Sequence, residues 1–278
     1  MGGNAFDMVS RIEQENIIPT LKQEVEPILA KLGIKNYKLL GSALKKDDSS
    51  GDLDIGIEWS EVLRAAGLEN ETNRNTTKEI INKLFQRAGL ENIPLKFFGS
   101  MATIAIPIVG QEGEYVQTDL MFFDDLKYGE YAKLAPDKGT SKYKSVIKNF
   151  LFYAIFPALR FDEEYRDDEL IGFKQYMVND NGMFIKTTSR INQKNPDKKL
   201  LKNFKVIDRE FITSDWNKIW NELMGPEFKK SDWNSFESLY DYMKSNKFKY
   251  RERLPEIIEN FKETMNNNQQ MEIPKEIK

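Results

Sequence analysis

Histidine and cysteine are both absent from the 278-residue chain. Without them there is no Ser-His-Asp or Cys-His nucleophile system, no thiol chemistry and no ordinary zinc site. Proton transfer therefore falls to carboxylates, Lys, Tyr or metal-activated water. Chemistry that hard oxygen ligands and Mg²⁺ support stays open. Also missing is any apolar run near the roughly 20 residues of a membrane helix, and the N-terminus has no basic-then-apolar leader pattern. These absences predict a cytoplasmic protein with no membrane partner. At 40% hydrophobic and 31% charged residues, the composition is that of a folded chain. Its length accommodates two domains.

The net charge of −3 conceals an asymmetry. Residues 1–140 carry 16 Lys+Arg against 22 Asp+Glu, whereas residues 141–278 carry 25 against 22. An acidic first part and a basic second part point to different tasks.

Periodicity predicts the elements. Pro19 to Leu32 reads as a helix with Leu21, Val25, Ile28, Leu29 and Leu32 on its apolar face, a kink at Pro27 and a stop at Gly33. "YKLL" is a short strand ending at Gly41-Ser42. From Leu53 to Trp59 the chain alternates, with Leu53, Ile55 and Ile57 on one face and Asp52, Asp54 and Gly56 on the other. Thr77 to Ala88 reads as a helix burying Ile80, Ile81, Leu84 and Phe85. Ala102–Val109 and Glu114–Phe123, joined by "GQEG", read as a hairpin with Asp119 in the middle of its second strand.

Beyond Asp125 the strand signals thin out. "KYKSVIKNFLFYAIFPALRF", Asp215–Met224, Asp232–Lys244 and Pro255–Met265 read as helices, and the polar tail after Asn266 reads as frayed. Gly, Pro, Asp and Lys cluster over residues 126–140 and mark a boundary. The predicted class is α+β: a domain over 1–135 with a mixed sheet and flanking helices, then a mainly helical substrate-binding domain over 136–278.

Three aspartates lie in strand contexts, and burying a carboxylate costs several kcal/mol unless something pairs with it. Asp52 and Asp54 share a strand face, and Asp119 occupies a strand 65 positions beyond Asp54. Two Mg²⁺ ions about 3.5–4 Å apart need bridging carboxylates plus substrate phosphates, which such a trio can offer. Gly41-Ser42 ends a strand in a position that can present backbone N–H groups and a hydroxyl to a phosphate. A calcium-loop reading of Asp47 to Glu58 fails, because its sixth position is Asp52 where an EF-hand needs Gly. Each element alone is weak: Gly99-Ser100 repeats the Gly-Ser pair with no Asp-x-Asp after it.

Taken together, "LGSALKKDDSSGDLDIGIE" resembles the signature of the polymerase-beta-like nucleotidyltransferase superfamily, and "VQTDLMF" resembles its third-carboxylate strand. The resemblance covers residues 39–58 and 115–122, and the order of helix and hairpin between them fits. The opening "MGGNAF" with Arg11 also resembles phage-encoded members, which would place the protein in a host cytoplasm. The resemblance implies that Asp52, Asp54 and Asp119 are catalytic and bind two Mg²⁺ ions, with Mn²⁺ as an alternative. It implies that Gly41 and Ser42 hold a nucleoside triphosphate. The implied reaction moves a nucleoside monophosphate to a hydroxyl and releases pyrophosphate.

Lys144 and Lys148 lie one turn apart on the predicted polar side of the first helix after the boundary and are candidates for gripping the triphosphate. The acceptor is open. Lys186–Arg209 has eight basic and two acidic residues, and Lys244–Arg253 interleaves basic charge with Phe248 and Tyr250. Such mixtures suit a nucleic-acid backbone with occasional stacking. The leading expectation is NMP addition to an RNA 3′ end such as that of tRNA. The alternatives are synthesis of cyclic or short oligonucleotides, transfer to a protein or small molecule, and a non-catalytic structural or interaction protein on the same fold.

Overall fold

Alternation along Asp52–Glu58 produces an interior strand of the sheet in the first half. Leu53, Ile55 and Ile57 are fully buried on one face, each contributing about 1.5–3 kcal/mol of burial, while Asp52 and Asp54 share the opposite one. The computed structural model describes residues 5–45, 49–69, 76–99, 101–136, 141–179, 181–191, 204–267 and 271–277. The chain divides into two units, Met1–Gly139 and Thr140–Lys278.

In the first unit, a short strand β1 (Ile12–Glu13) leads into a helical run: α1 (Gln14–Thr20), a π turn (Leu21–Val25) and α2 (Glu26–Lys31). Helix formation starts at Gln14, ahead of the predicted Pro19, which lies inside α1. The π turn ends two residues before Pro27, and the Glu26 N–H reaches back to the Leu21 carbonyl. A wider turn accommodates a proline that has no N–H to give and whose ring crowds the preceding turn.

Next come β2 (Tyr37–Leu40), a two-residue β3 (Ser49–Ser50) paired with β1, β4 (Asp52–Glu58), α3 (Trp59–Ala66), α4 (Thr77–Arg87), β5 (Leu95–Phe98), β6 (Met101–Pro107), β7 (Tyr115–Phe123) and α5 (Leu126–Ala132). Trp59 opens α3 instead of ending the strand as predicted. Five strands form a mixed sheet in the order β2-β4-β7-β6-β5. Only the central β4–β7 pair is parallel among the described strands of this sheet. Buried residues of β4, β6 and β7 join those of the helical run, α3 and α4 in one core. On the opposite face, Gly56 leaves room for Leu126: a Cβ there would come within 2.8 Å of the Leu126 side chain. This lets α5 cover one end of the face.

The second unit corrects the helical expectation. It contains α6 (Ser145–Tyr153) and α7 (Ile155–Ala158), then a four-stranded antiparallel sheet of β8 (Arg160–Arg166), β9 (Glu169–Asn179), β10 (Gly182–Arg190) and β11 (Phe204–Thr213). Helices α8 (Trp216–Leu223), α9 (Phe236–Lys244) and α10 (Leu254–Asn267) follow. The β8–β9 turn carries positive φ at both Asp167 and Asp168, as a tight primed hairpin turn requires. Exposed charges along β8 and β11 break the alternation that would have announced these strands. The signal available was Asn181-Gly182 between two β-prone runs.

The tail is not frayed throughout, because Glu276 accepts hydrogen bonds from Tyr143 and Lys142. Those bonds, Tyr143's first, hold its carboxyl down at about 2. A depressed carboxylate stabilises above its unfolded value, 4.5, and that contribution is lost as pH falls toward 2. Hydrogen exchange over 271–277 should therefore lose protection across that window, and Glu276→Gln should remove the pH dependence. Unchanged protection at the acid end would contradict the docking.

Candidate metal centre

Register brings the three aspartates together. In the parallel β4–β7 pair, Asp54 lies directly opposite Asp119, and Asp52 opposite Gln117. Asp52, two residues before Asp54, shares its face. One carboxylate oxygen from each of Asp52, Asp54 and Asp119 lies within 4.8 Å of the others.

Asp119 is the most enclosed of the three, only 6% exposed. Burial pushes its carboxyl above the usual range and Asp52 pushes the same way. Hydrogen bonds from Thr103 and Gln117 and the charge of Lys133 pull it back. Thr103, directly across the β6–β7 pair, donates from Oγ1 to Asp119 Oδ1 at 2.8 Å. Gln117 Nε2 donates to the same oxygen at 3.0 Å. Neither residue, nor Lys133, was singled out from the sequence. The register of the β6–β7 pair was the signal for Thr103, and the two-residue spacing from Asp119 was the signal for Gln117.

Gly41 follows Leu40, which pairs with Asp54 in the antiparallel β2–β4 ladder. Its φ is +69°, a conformation that side chains rarely adopt. A Cβ at this position would lie 2.0 Å from Asp54 Oδ2. The Gly41 backbone is therefore seated against the acidic face. Ser42 follows in the same turn, its carbonyl accepting from the Lys45 N–H at 2.9 Å.

No protein-family model and no curated protein matches the chain.

The donor set fits hard divalent cations. It consists of carboxylate oxygens alone, with no nitrogen or sulfur ligand in the trio, and such oxygens suit Mg²⁺ or Mn²⁺. Glycine beside the trio gives a ligand close access to backbone.

The two lysines differ. Lys144 is exposed just ahead of α6. Lys148 is not on a polar face, because it is fully buried. Its ammonium donates to the Trp233 carbonyl at 3.0 Å and lies 4.3 Å from that indole's ring centroid. Here tertiary packing overrides the polarity of the residue, as hydrogen bonding and cation–π contact offset burial of the amine. Lys148→Ala should destabilise the protein by about 2–4 kcal/mol, through a cavity and a carbonyl left without its donor. The urea midpoint reads this. An unchanged midpoint with weakened NTP affinity would return Lys148 to phosphate binding.

The predicted RNA-contacting stretches also divide. Of Lys186–Arg209, residues 192–203 lie outside the described residues, and the flanks are β10 and β11. In Lys244–Arg253, Lys244, Lys247, Lys249 and Arg253 pair with Asp241, Glu227, Glu222 and Glu256. Arg251 donates to the Lys244 carbonyl and to Asn246. Phe248 is a core residue, not a stacking platform: it is 3% exposed. No helix among the described residues is long and apolar enough to cross a membrane.

Proposed function

We propose that this chain is a Mg²⁺-dependent nucleotidyltransferase of the polymerase-beta-like type. It moves a nucleoside monophosphate from a nucleoside triphosphate to a hydroxyl acceptor and releases pyrophosphate. The observation that carries this reading is Asp54 abreast of Asp119 on parallel strands, with Asp52 on the same face and the Gly41 backbone against Asp54.

Asp52, Asp54 and Asp119 would hold the cations, which when bound neutralise the triphosphate and the leaving pyrophosphate and acidify the acceptor hydroxyl. The chain's own part is positioning. Gly41 and Ser42 hold the triphosphate next to the carboxylates through close backbone approach. Asp119, the most enclosed of the three, lies on the acceptor side, where a carboxylate kept dry interacts most strongly with charge.

The acceptor in this reading is an RNA 3′ end. Lys186 and Arg209 support it, since they face each other directly across β10 and β11, an arrangement of like charges that is unfavourable until an anion joins it. The pairing of the Lys244–Arg253 cations with acids favours a second reading, a nucleotide-sized or small-molecule acceptor. Mass spectrometry of products from the four NTPs with Mg²⁺, with and without total RNA, separates the two. Extended RNA supports the first and soluble short products the second. The absence of any product, together with no thermal shift on adding Mg²⁺ and NTP, would leave a non-catalytic protein on this fold.

A further inference from the structure

Asp119 is held by a short chain of hydrogen bonds that begins at the N-terminal segment. Thr103 is 0% and Gln117 6% exposed, so both polar groups are shielded and aimed at one carboxylate. The Ala5 N–H donates to Gln117 Oε1 at 2.8 Å. A backbone N–H can only donate, so this bond fixes the amide with its nitrogen toward Asp119. The segment carrying Ala5 is itself tied down at several points. Lys96 donates to the Ala5 carbonyl at 2.6 Å and lies 4.9 Å from the Phe6 ring centroid. The Ser10 N–H donates to the Tyr115 carbonyl at 2.7 Å, and Val9 bridges Tyr115 at the start of β7.

Both close donors converge on Oδ1, at 2.8 Å from Thr103 and 3.0 Å from Gln117, whereas Oδ2 receives the longer 3.3 Å contact from Gln117. A carboxylate offers about four lone-pair sites, so occupying one oxygen turns the other outward and limits rotation of the group. We infer that Thr103 and Gln117 are positioning residues for the metal centre, that the Ala5 N–H sets Gln117, and that Asp119 ligates through Oδ2 while Oδ1 anchors it to the sheet. The inference rests on the reading of the trio as a cation site. Partners of this kind behind ligating carboxylates typically contribute 10–100-fold in metal affinity.

The test is Mn²⁺ binding to the entire 278-residue chain, by calorimetry and electron paramagnetic resonance. Thr103→Val and Gln117→Leu should each weaken binding by about 10-fold, while Thr103→Ser, which keeps the hydroxyl, should stay within about twofold of the unmodified chain. Ala5→Pro removes one N–H and changes no core residue, and it should weaken binding about threefold or more. It also guards against failure of the core variants to fold. Mn²⁺ affinities of Thr103→Val, Gln117→Leu and Ala5→Pro equal to that of the unmodified chain, with binding lost in Asp54→Ala, would overturn the positioning role and spare the cation site. Unaltered binding in Asp54→Ala would remove the site itself.

Discussion

Asp54→Ala should abolish the proposed nucleotidyl transfer, reducing turnover by about 10³-fold or more, and should leave the protein folded. The magnitude follows from the role assigned: cation stabilisation of transferring phosphoryl groups is worth several kcal/mol, and about 4 kcal/mol corresponds to about 10³-fold in rate. Folding survives because the hydrophobic support of β4 comes from Leu53, Ile55 and Ile57 on the other face, which the substitution does not touch. The variant should therefore still unfold cooperatively without metal, while the stabilisation added by Mg²⁺ and NTP disappears. Transfer at the unmodified rate would refute the assignment.

Gly41→Ala should have the second largest effect. A methyl group placed 2.0 Å from Asp54 Oδ2 overlaps the carboxylate, so either that side chain or the turn must move by more than an ångström. Misplacement of that size costs about 10²-fold in rate. The φ of +69° adds strain of about 1 kcal/mol or more for a residue with a Cβ. Turnover should fall by about 10²-fold with weaker apparent NTP affinity, and the melting temperature by a few degrees. Gly67 is the internal control, since it also has positive φ but nothing within 4 Å of its Cβ position. Gly67→Ala should carry the conformational cost and keep full activity. Equal losses in both variants would show that strain alone, and not contact with Asp54, is responsible.

The candidate centre is legible in the sequence because its geometry follows from two rules of period two. Alternation places Asp52 and Asp54 on one face of β4, and an apolar run around Asp119 signals a second strand in the same sheet. The pairing of Asp54 with Asp119 needs the parallel register, which depends on contacts distant in sequence. Thr103 stays hidden for the same reason: an isolated Thr in a strand carries no local mark of a carboxylate on the next strand. Gln117, two residues before Asp119, shares its face by the same alternation, but nothing in the sequence marks it as the donor to that carboxylate. The sheet of the second unit is hidden for a different reason. Runs such as Asp162–Glu164 and Asp208–Glu210 lie exposed on its outer strands, and polar strands lack the alternation that marks half-buried ones. Lys148 escapes because a lysine among Phe and Leu residues reads as a solvated face. Only the fold supplies the Trp233 carbonyl and ring that allow the amine to be buried.

The most direct measurement is a crystal structure grown with Mn²⁺ and a non-hydrolysable nucleoside triphosphate, with the ions located by anomalous scattering. Two Mn²⁺ peaks bounded by Asp52, Asp54 and Asp119, with the triphosphate lying along Gly41 and Ser42, are the predicted result. Nucleotide bound elsewhere, or a trio that takes up no ion at saturating Mn²⁺, would contradict it.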